Sequence, residues 1–301
     1  MATPRIVLVH RRTELQELLD RHATRGQAEF FLSARGRSIQ DVQDRHDRLT
    51  AALATVREAV PSDWRQAEVE RADLSRFLLT AEDIIAVVGQ DGLVANVAKY
   101  LNGQPVIGID PEPGANPGVL VRHTPTAAAA LLAAGDVGRL RCQDLTTVTA
   151  TLDDGQQLSA LNEVFVGHAS HQSAKYTLAA PSFTQAGGQT ERQSSSGLIV
   201  STGTGATGWC ASIALERGGR ALLPAPTDPR LAWFVREAWP SPVTGASLTE
   251  GVLEAGEVLR LTVASDQLVV FGDGMEDDRL TASWGQEITV QLGQRPLRLV
   301  V

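Results

Sequence analysis

Hydrophobic and polar positions in the first half of the chain alternate between two kinds of segment. Residues 5–10, 84–88 and 105–109 are short runs with apolar centres, which predict buried strands. Residues 13–21 and 41–60 place apolar side chains on one helical face, and residues 93–101 predict a further helix. Strands that alternate with helices indicate a parallel sheet with helices on both faces. The run Phe30-Phe31-Leu32 predicts one more strand.

The second half of the chain is richer in strand-like segments. A helix is predicted for residues 126–134, and strands are predicted for residues 146–152, 164–166, 198–201, 258–263, 268–271, 287–292 and 297–301. We therefore expect an α/β domain at residues 1–125 and a β-rich domain at residues 126–301. The boundary follows a segment rich in proline and glycine at residues 111–118. The sequence leaves open whether the last strand returns to the first domain.

Composition agrees with two globular domains and excludes several function classes. The chain has 301 residues, and ~150 residues per domain gives about two domains. Its net charge of −8 disfavours nucleic-acid binding, which needs clustered cations. The longest apolar run, residues 127–134, is far shorter than the ~20 residues that span a bilayer. Only two cysteines are present, which suits a reducing compartment. We therefore expect a cytoplasmic protein that binds neither nucleic acid nor membrane.

The first candidate site is the sequence Gly89-Gln90-Asp91-Gly92, directly after the strand predicted at residues 84–88. Open α/β sheets bind ligands at the carboxyl ends of their strands, and a helix N-terminus attracts phosphate. Glycine lets backbone N–H groups approach such a phosphate closely. Asp91 has two interpretations: it accepts a proton from a hydroxyl group or helps to hold magnesium, or it only caps the helix.

A second glycine-rich turn spans residues 203–208 and matches the pattern G-x-G-x-x-G of dinucleotide-binding folds. Such a fold needs another strand about 20 residues further on. Pro224 and Pro226 disfavour a central strand there, so we reject that fold. A close approach of backbone to a ligand stays open, with the Thr204 and Thr207 hydroxyls as donors. The alternative is a glycine-rich turn without a ligand.

A third candidate is Leu161-Asn162-Glu163-Val164, a polar pair that opens an apolar strand. The pattern alone favours a turn residue followed by an exposed carboxylate. His168 and His171 are three positions apart, but a strand would point them to opposite faces, and no third ligand is evident. We therefore expect no metal site made by the protein alone.

Taken in order, these segments resemble the NAD kinase family, and above all its mitochondrial-type branch. Gly89-Gln90-Asp91-Gly92 is similar to the G-G-D-G loop of that family. The other segments that carry the likeness are 106–112 with 118–120, 160–164, Ser195-Ser196-Gly197-Leu198, Ser201-Thr202-Gly203-Thr204-Gly205 with Trp209, and Asp273-Gly274. The likeness runs from about Ile84 to Gly274, and the order and spacing of its motifs are more specific than any one of them.

The resemblance implies a fold, a reaction and a set of site residues. It implies an N-terminal α/β domain and a C-terminal β-rich domain with the active site between them, in a homodimer or larger homo-oligomer. It implies transfer of the terminal phosphoryl group of ATP to the adenosine ribose 2′-hydroxyl of NAD or NADH, with Mg²⁺. Asp91 would be the general base. The residues implied to bind the nucleotides are Gly89, Gln90, Gly92, Asn162, Glu163, Thr204, Gly205, Thr207 and Asp273.

Three positions depart from the pattern of the family. Gln90 stands where the family usually has Gly, Leu93 where it has Thr or Ser, and Ala206 where it has Ser. The side chain of Gln90 would either crowd a phosphate or offer it an amide contact, and Leu93 lacks a hydroxyl donor. Two alternatives therefore stay open. One is a kinase of the same fold that acts on another hydroxyl-bearing metabolite, and the other is a nucleotide-binding sensor with weakened catalysis.

Overall fold

The computed structural model describes residues 4–115, 118–135, 140–181, 188–218 and 223–301. The chain divides into two compact units, residues 1–143 with 298–301 and residues 144–297. Residues 126–143, which the sequence assigned to the second domain, belong to the first unit. Residues 116 and 117 of the segment rich in proline and glycine lie outside the described residues. In the described ranges, every helix is too short or too polar to cross a lipid bilayer.

The first unit is built on a six-stranded sheet with the order β2-β1-β3-β4-β18-β5. The strands are β1 (Arg5–His10), β2 (Arg65–Glu70), β3 (Asp83–Val88), β4 (Pro105–Ile109), β5 (Cys142–Leu145) and β18 (Leu297–Val300). The helices are α1 (Glu14–His22), α2 (Arg25–Ser33), α3 (Ile39–Glu58), α4 (Asp91–Ala98) and α5 (Pro125–Ala133), with a 3₁₀ helix at Arg71–Arg76. Strands β2, β1, β3, β4 and β18 pair in parallel.

Apolar side chains explain the layers of this unit. Strand β3 is buried along its whole length, as its run of apolar residues predicts. One face of the sheet packs against α3 and α5, in a core that includes Leu8, Val56, Ile84 and Leu132. Helix α4 buries most of its residues as well. The expected α/β fold class of the first unit is therefore confirmed.

One predicted strand is wrong. Residues 30–32 lie in helix α2, which begins after Thr24, whose hydroxyl accepts the backbone N–H of Gln27. Leu32 packs into a core with α1 and α3, while 77% of Phe30 is exposed. A run of three apolar residues has no resolvable period, so it did not distinguish a strand from one turn of a helix.

The second unit contains two six-stranded antiparallel sheets, which confirms the expected β-rich class. Their orders are β10-β9-β14-β17-β6-β7 and β13-β12-β11-β8-β15-β16. The strands are β6 (Val148–Leu152), β7 (Gln157–Ala160), β8 (Glu163–Gly167), β9 (Ala174–Ala180), β10 (Gln189–Ser195), β11 (Leu198–Ser201), β12 (Leu231–Val235), β13 (Glu250–Leu253), β14 (Leu259–Val263), β15 (Gln267–Gly272), β16 (Met275–Ser283) and β17 (Glu287–Leu292).

Side chains that point to alternate faces of these strands form two apolar layers. The larger core joins the two sheets and includes Val164, Tyr176 and Leu261. Buried Tyr176 shares a hydrogen bond of 2.7 Å with the hydroxyl of Ser195. The opposite face of the β8 sheet packs against helix α6 (Trp209–Glu216), through residues such as Phe165 on β8. Glu163 is the first residue of β8, so a carboxylate lies at the start of a buried strand.

Candidate active site

The first group of predicted site residues lies at the carboxyl edge of the parallel sheet. The last residues of β3 and β4, Val88 and Ile109, are register partners. Gly89 continues from β3, and its N–H donates to the Ile109 carbonyl at 3.0 Å. Helix α4 begins two residues later, so its N-terminus and the loop before it share the edge where open α/β sheets bind ligands.

Asp91 is the first residue of α4, and its half-buried carboxylate bonds to a different segment of the unit. Oδ2 accepts the backbone N–H of Val119 at 2.7 Å. Oδ1 accepts the N–H groups of Leu120 at 3.0 Å and Val121 at 2.9 Å. The helix is capped at Gln90 without a side-chain hydrogen bond. The simple capping interpretation is therefore wrong for Asp91, because the carboxylate holds residues 119–121 rather than its own helix.

Asp91 keeps capacity for a further hydrogen bond. A carboxylate oxygen offers about two acceptor positions. The described hydrogen bonds use two positions on Oδ1 and one on Oδ2. Three backbone donors thus fix the orientation of the carboxylate, and Oδ2 retains a position for a hydroxyl group.

The two departures from the family pattern near this loop have different surroundings. Gln90 is exposed, and Gly92 is exposed with open space around its Cα. Leu93 is only 6% exposed, and its Cδ2 atom would lie 3.0 Å from a Cβ atom at position 89. Leu93 therefore covers the Gly89 backbone with an apolar side chain, whereas Gln90 leaves the helix N-terminus accessible.

Sequence reasoning did not identify residues 119–121 as part of the site. The available signal was Gly108, where a Cβ atom would lie only 2.1 Å from the Leu120 carbonyl oxygen. The N–H of His123 also donates to the Gly108 carbonyl at 3.0 Å. The segment that orients Asp91 thus lies against β4, and only glycine at position 108 permits that approach.

The second group of predicted residues meets around the start of β8, in the second unit. Asp273 accepts the N–H of Leu161 on Oδ2 at 2.9 Å and the N–H of Asn162 on Oδ1 at 2.7 Å. Its own N–H donates to the Glu163 carbonyl at 3.1 Å. Asp273 has a φ of +54°, in the left-handed region that is uncommon for residues other than glycine. Both of these carboxylate hydrogen bonds are therefore bonds to backbone.

Thr202, which sequence reasoning did not single out, contacts the carbonyl groups of the same two residues. Its hydroxyl donates to the Leu161 carbonyl at 2.6 Å, and its N–H donates to the Asn162 carbonyl at 2.9 Å. The same hydroxyl oxygen accepts the N–H groups of Thr204 at 3.1 Å and Gly205 at 3.3 Å. The turn after β11 is therefore anchored on the start of β8.

The glycines of this turn make room for protein backbone. A Cβ atom at position 205 would lie 2.3 Å from the Asn162 carbonyl oxygen, and one at position 203 would lie 2.0 Å from the Ala225 backbone. Residues 223–230, all of them described, form no strand, in agreement with the prolines that argued against a dinucleotide fold. Of the two predicted hydroxyl donors, Thr207 donates to the Thr204 carbonyl at 2.9 Å. The Thr204 hydroxyl is buried and has no hydrogen-bond partner among the described residues.

Burial changes the acidity of two groups in this second group of residues. Burial, together with the nearby Asp273 carboxylate, raises the pKa of Glu163 to about 7. Burial also raises the pKa of the Cys210 thiol, on α6, to about 12. Glu163 therefore accepts or releases a proton near neutral pH, while the thiol stays protonated.

The comparisons with known proteins agree with this architecture. No protein-family model matches the chain. An NAD kinase of Methylococcus capsulatus (strain ATCC 33009 / NCIMB 11132 / Bath) is 29% identical over 231 residues, which cover 72% of this chain and 71% of that protein. The crystal structure of an NAD kinase from Archaeoglobus fulgidus in complex with ATP superposes with a TM-score of 0.57 at 16% identity. That superposition covers 99% of this chain and 93% of the other, so the fold is shared along nearly the whole length.

The predicted site residues thus lie in two groups. Gly89, Gln90, Asp91 and Gly92 lie at one sheet edge of the first unit, and Asn162, Glu163, Thr204, Gly205, Thr207 and Asp273 lie around the start of β8 in the second. The sequence relative and the shared fold are both those of NAD kinases. Together they confirm the resemblance of this chain to the NAD kinase family.

Proposed function

We propose that the chain transfers the terminal phosphoryl group of ATP to the adenosine ribose 2′-hydroxyl of NAD or NADH. The observation that carries the proposal is the Asp91 carboxylate, held by three backbone N–H groups beside the N-terminus of α4. A helix N-terminus at the carboxyl edge of a parallel sheet suits nucleotide phosphates. The names of the two similar proteins, and the bound ATP of one of them, support this choice of substrates.

In this reaction Asp91 acts as the general base. Its Oδ2 accepts the proton of the 2′-hydroxyl while the ribose oxygen bonds to the terminal phosphorus of ATP and the bond to ADP breaks. A positioned base contributes about 10²–10⁴-fold to such a step. The backbone donor at Gly92 and the amide of Gln90 bind phosphate oxygens. Gly89, whose own N–H donates to the Ile109 carbonyl, lines the phosphates without a side chain.

The second group of residues binds the dinucleotide. Asn162 offers both a donor and an acceptor, and Glu163 offers a carboxylate that accepts ribose hydroxyls when it is charged. Thr204 and Thr207 line the same pocket with the backbone of Gly205. The buried Thr204 hydroxyl supports this assignment, because an unpaired buried hydroxyl is costly unless a ligand or water satisfies it.

Magnesium fits the site as an ion that is bound by the ATP phosphates. The described part of the chain contains no group of three or more His, Cys, Asp or Glu side chains arranged to hold a metal ion. Mg²⁺ is commonly bound by one or two carboxylates together with substrate phosphates. Because the remaining acceptor position of Asp91 is assigned to the 2′-hydroxyl, the ATP phosphates would hold most of the ion. Bound in this way, the ion would neutralise charge on the transferred phosphoryl group.

The test is formation of NADP from NAD, ATP and Mg²⁺ by the purified chain, measured with an NADP-specific coupled dehydrogenase. We expect saturable turnover that depends on both nucleotides. Absence of NADP, with NAD and NADH each offered as acceptor, would overturn the proposal. We also propose that the protein is cytoplasmic and forms a homodimer or larger homo-oligomer. Light scattering of the same sample tests the oligomeric state.

A second candidate function is supported by Leu93. Its buried side chain covers Gly89, where the family pattern has a hydroxyl donor, and this change favours a nucleotide-binding sensor with weakened catalysis. That function predicts NAD or ATP binding by calorimetry without NADP formation. Under it, Gln90→Gly combined with Leu93→Thr should raise turnover sharply, and unchanged turnover would count against it. A thermal-shift screen over other hydroxyl-bearing metabolites tests the remaining alternative, a different acceptor.

A further inference from the structure

Asp273 and Thr202 bind the consecutive peptide groups that lead into β8. The Asp273 carboxylate accepts the N–H groups of Leu161 and Asn162. Thr202 binds the two carbonyl groups of the same pair, through its hydroxyl to Leu161 and through its N–H to Asn162. These two residues, both distant in sequence, therefore pair all four backbone polar groups of residues 161 and 162, and the Ser201 hydroxyl is a second donor to the Asn162 carbonyl at 3.2 Å.

We propose that Asp273 and Thr202 are positioning residues, which fix the direction of the Asn162 and Glu163 side chains toward the dinucleotide. The proposal rests on the proposed function and assigns the Asp273 carboxylate to backbone rather than to the ligand. Asn162 directly precedes β8 and Glu163 begins it, so a shift of the peptide groups at residues 161 and 162 reorients both ligand-binding side chains at once.

The conformation of Asp273 supports a positioning role. Its φ of +54° costs about 1–2 kcal/mol for a residue with a Cβ atom. The two hydrogen bonds of its carboxylate, together with the bond from its N–H to the Glu163 carbonyl, compensate this cost. Glycine, which follows at position 274, would adopt the same backbone angle without strain but would supply no acceptor.

The burial of Thr202 explains why a hydroxyl is needed there. The side chain is 0% exposed, so water does not replace a lost hydrogen bond to the Leu161 carbonyl. The same oxygen accepts the N–H groups of Thr204 and Gly205, so it also ties the threonine-rich turn to Asn162. Removing the hydroxyl loosens both parts of the dinucleotide site together.

The experiment compares Thr202→Val, Thr202→Ser and Asp273→Asn with wild type in steady-state NADP formation, varying NAD and ATP separately. Thr202→Val and Asp273→Asn should raise the KM for NAD by about tenfold or more, the loss of roughly one hydrogen bond to a buried group. The KM for ATP should change less than about twofold, because the ATP-binding residues lie in the other unit. Thr202→Ser, which keeps the hydroxyl, should restore the KM for NAD.

Matched controls separate positioning from general stability. Thr289→Val removes a hydroxyl that donates to the Thr151 carbonyl at 3.2 Å in the other sheet of the same unit. Asp153→Asn alters a carboxylate that accepts the N–H of Glu287 at 3.2 Å. Both controls should leave the KM for NAD unchanged. A lower kcat with an unchanged KM for NAD in Thr202→Val and Asp273→Asn, or no recovery in Thr202→Ser, would overturn the proposal.

Failure of the proposed function can be told apart from failure of the positioning roles. If the wild-type chain forms no NADP, the same comparison is made on the Kd for NAD by calorimetry, and the same tenfold loss and rescue are expected. A wild-type chain that binds NAD with variants that bind it equally well would overturn the positioning roles alone. If Thr202→Val does not fold, which circular dichroism reports, Asp273→Asn carries the comparison with Asp153→Asn.

Discussion

The carboxylate of Asp91 accepts the backbone N–H of Val119 at a distance of 2.7 Å. Two more hydrogen bonds join the same side chain to Leu120 and Val121. The proposed general base therefore has a structural task as well, since it fixes residues 119–121 to the start of α4. Substitutions at position 91 should change activity and stability by separable amounts.

For Asp91→Asn we expect NADP formation to fall by about 10²–10⁴-fold, because an amide does not accept the hydroxyl proton. The amide NH₂ group would also face one of the backbone donors, which should lower the free energy of unfolding by about 1–3 kcal/mol. Turnover and urea unfolding measure the two effects. Asp73→Asn, which changes an exposed carboxylate paired with Arg76, serves as the control and should change neither. Full activity in Asp91→Asn would remove Asp91 from the role of base.

Gly89 and Leu93 should be energetically coupled. Gly89→Ala places a methyl group 3.0 Å from the Leu93 side chain, which should cost about 1–3 kcal/mol of unfolding free energy. Leu93→Ala alone leaves a cavity and should cost about 2–5 kcal/mol. Because the new methyl group partly fills that cavity, the double variant should lose less than the sum, by about 0.5–3 kcal/mol. Chemical denaturation of all four proteins measures the cycle, and strictly additive losses would contradict the predicted contact.

Gly108→Ala should be one of the most damaging single changes in the first unit. Its Cβ atom would lie 2.1 Å from the Leu120 carbonyl oxygen, so backbone has to move, and with it the donors that orient Asp91. We expect a fall in Tm of at least about 10 °C, from a loss of roughly 3 kcal/mol or more, together with loss of turnover. Gly26→Ala is the matched control, because open space surrounds Gly26 in helix α2. It should stabilise the fold by up to about 1 kcal/mol, and equal Tm values for the two variants would contradict the close approach.

Stability should depend on pH through Glu163. Burial and Asp273 raise its pKa to about 7, from the ordinary value of 4.5 that applies in the unfolded chain. The folded protein therefore binds the proton more tightly, and the stabilisation present below pH 4.5 is lost as the pH rises to 7. Glu163→Gln does not titrate, so its unfolding free energy should gain on that of wild type across this window by up to about 3 kcal/mol.

Urea unfolding at several pH values between 4.5 and 8 measures this difference. Glu216→Gln changes an exposed carboxylate at the end of α6 and is the control. A constant difference between Glu163→Gln and wild type across the pH range would show that Glu163 titrates alike in the folded and unfolded chains.

Most of the helices and strands that were predicted from strong hydrophobic patterns are present in the structure. The strand predicted at residues 84–88 and the helix predicted at residues 41–60 are found at residues 83–88 and 39–58. A strand buried on both faces leaves an apolar run, and a helix buried on one face leaves a helical period. Strands β2, β5, β7, β12, β13 and β16 were not predicted, and neither were β9 and β10. Polar residues alternate with buried ones there, as in Lys175 and Tyr176, and several exposed positions hide the strand pattern.

The site was predictable in its residue types but not in its contacts. Asp91 was identified because it follows a buried strand, whereas its donors lie 28–30 positions away and are backbone groups without a side-chain signature. Thr202 was missed for a related reason, since its importance comes from pairing with the Leu161 carbonyl 41 positions earlier. Gly205 was identified as a glycine of a ligand-binding motif, but the approach that it permits is to the Asn162 carbonyl.

Strand β18 lies between β4 and β5 in the sheet of the first unit, although it follows the second unit in the chain. During synthesis, residues 144–297 therefore leave the ribosome before the sheet that precedes them has all its strands. The second unit, a single continuous segment, is free to fold first, whereas β4 waits for a partner made almost 190 residues later. We expect the nascent first unit to be the part that needs protection by chaperones until β18 has been made.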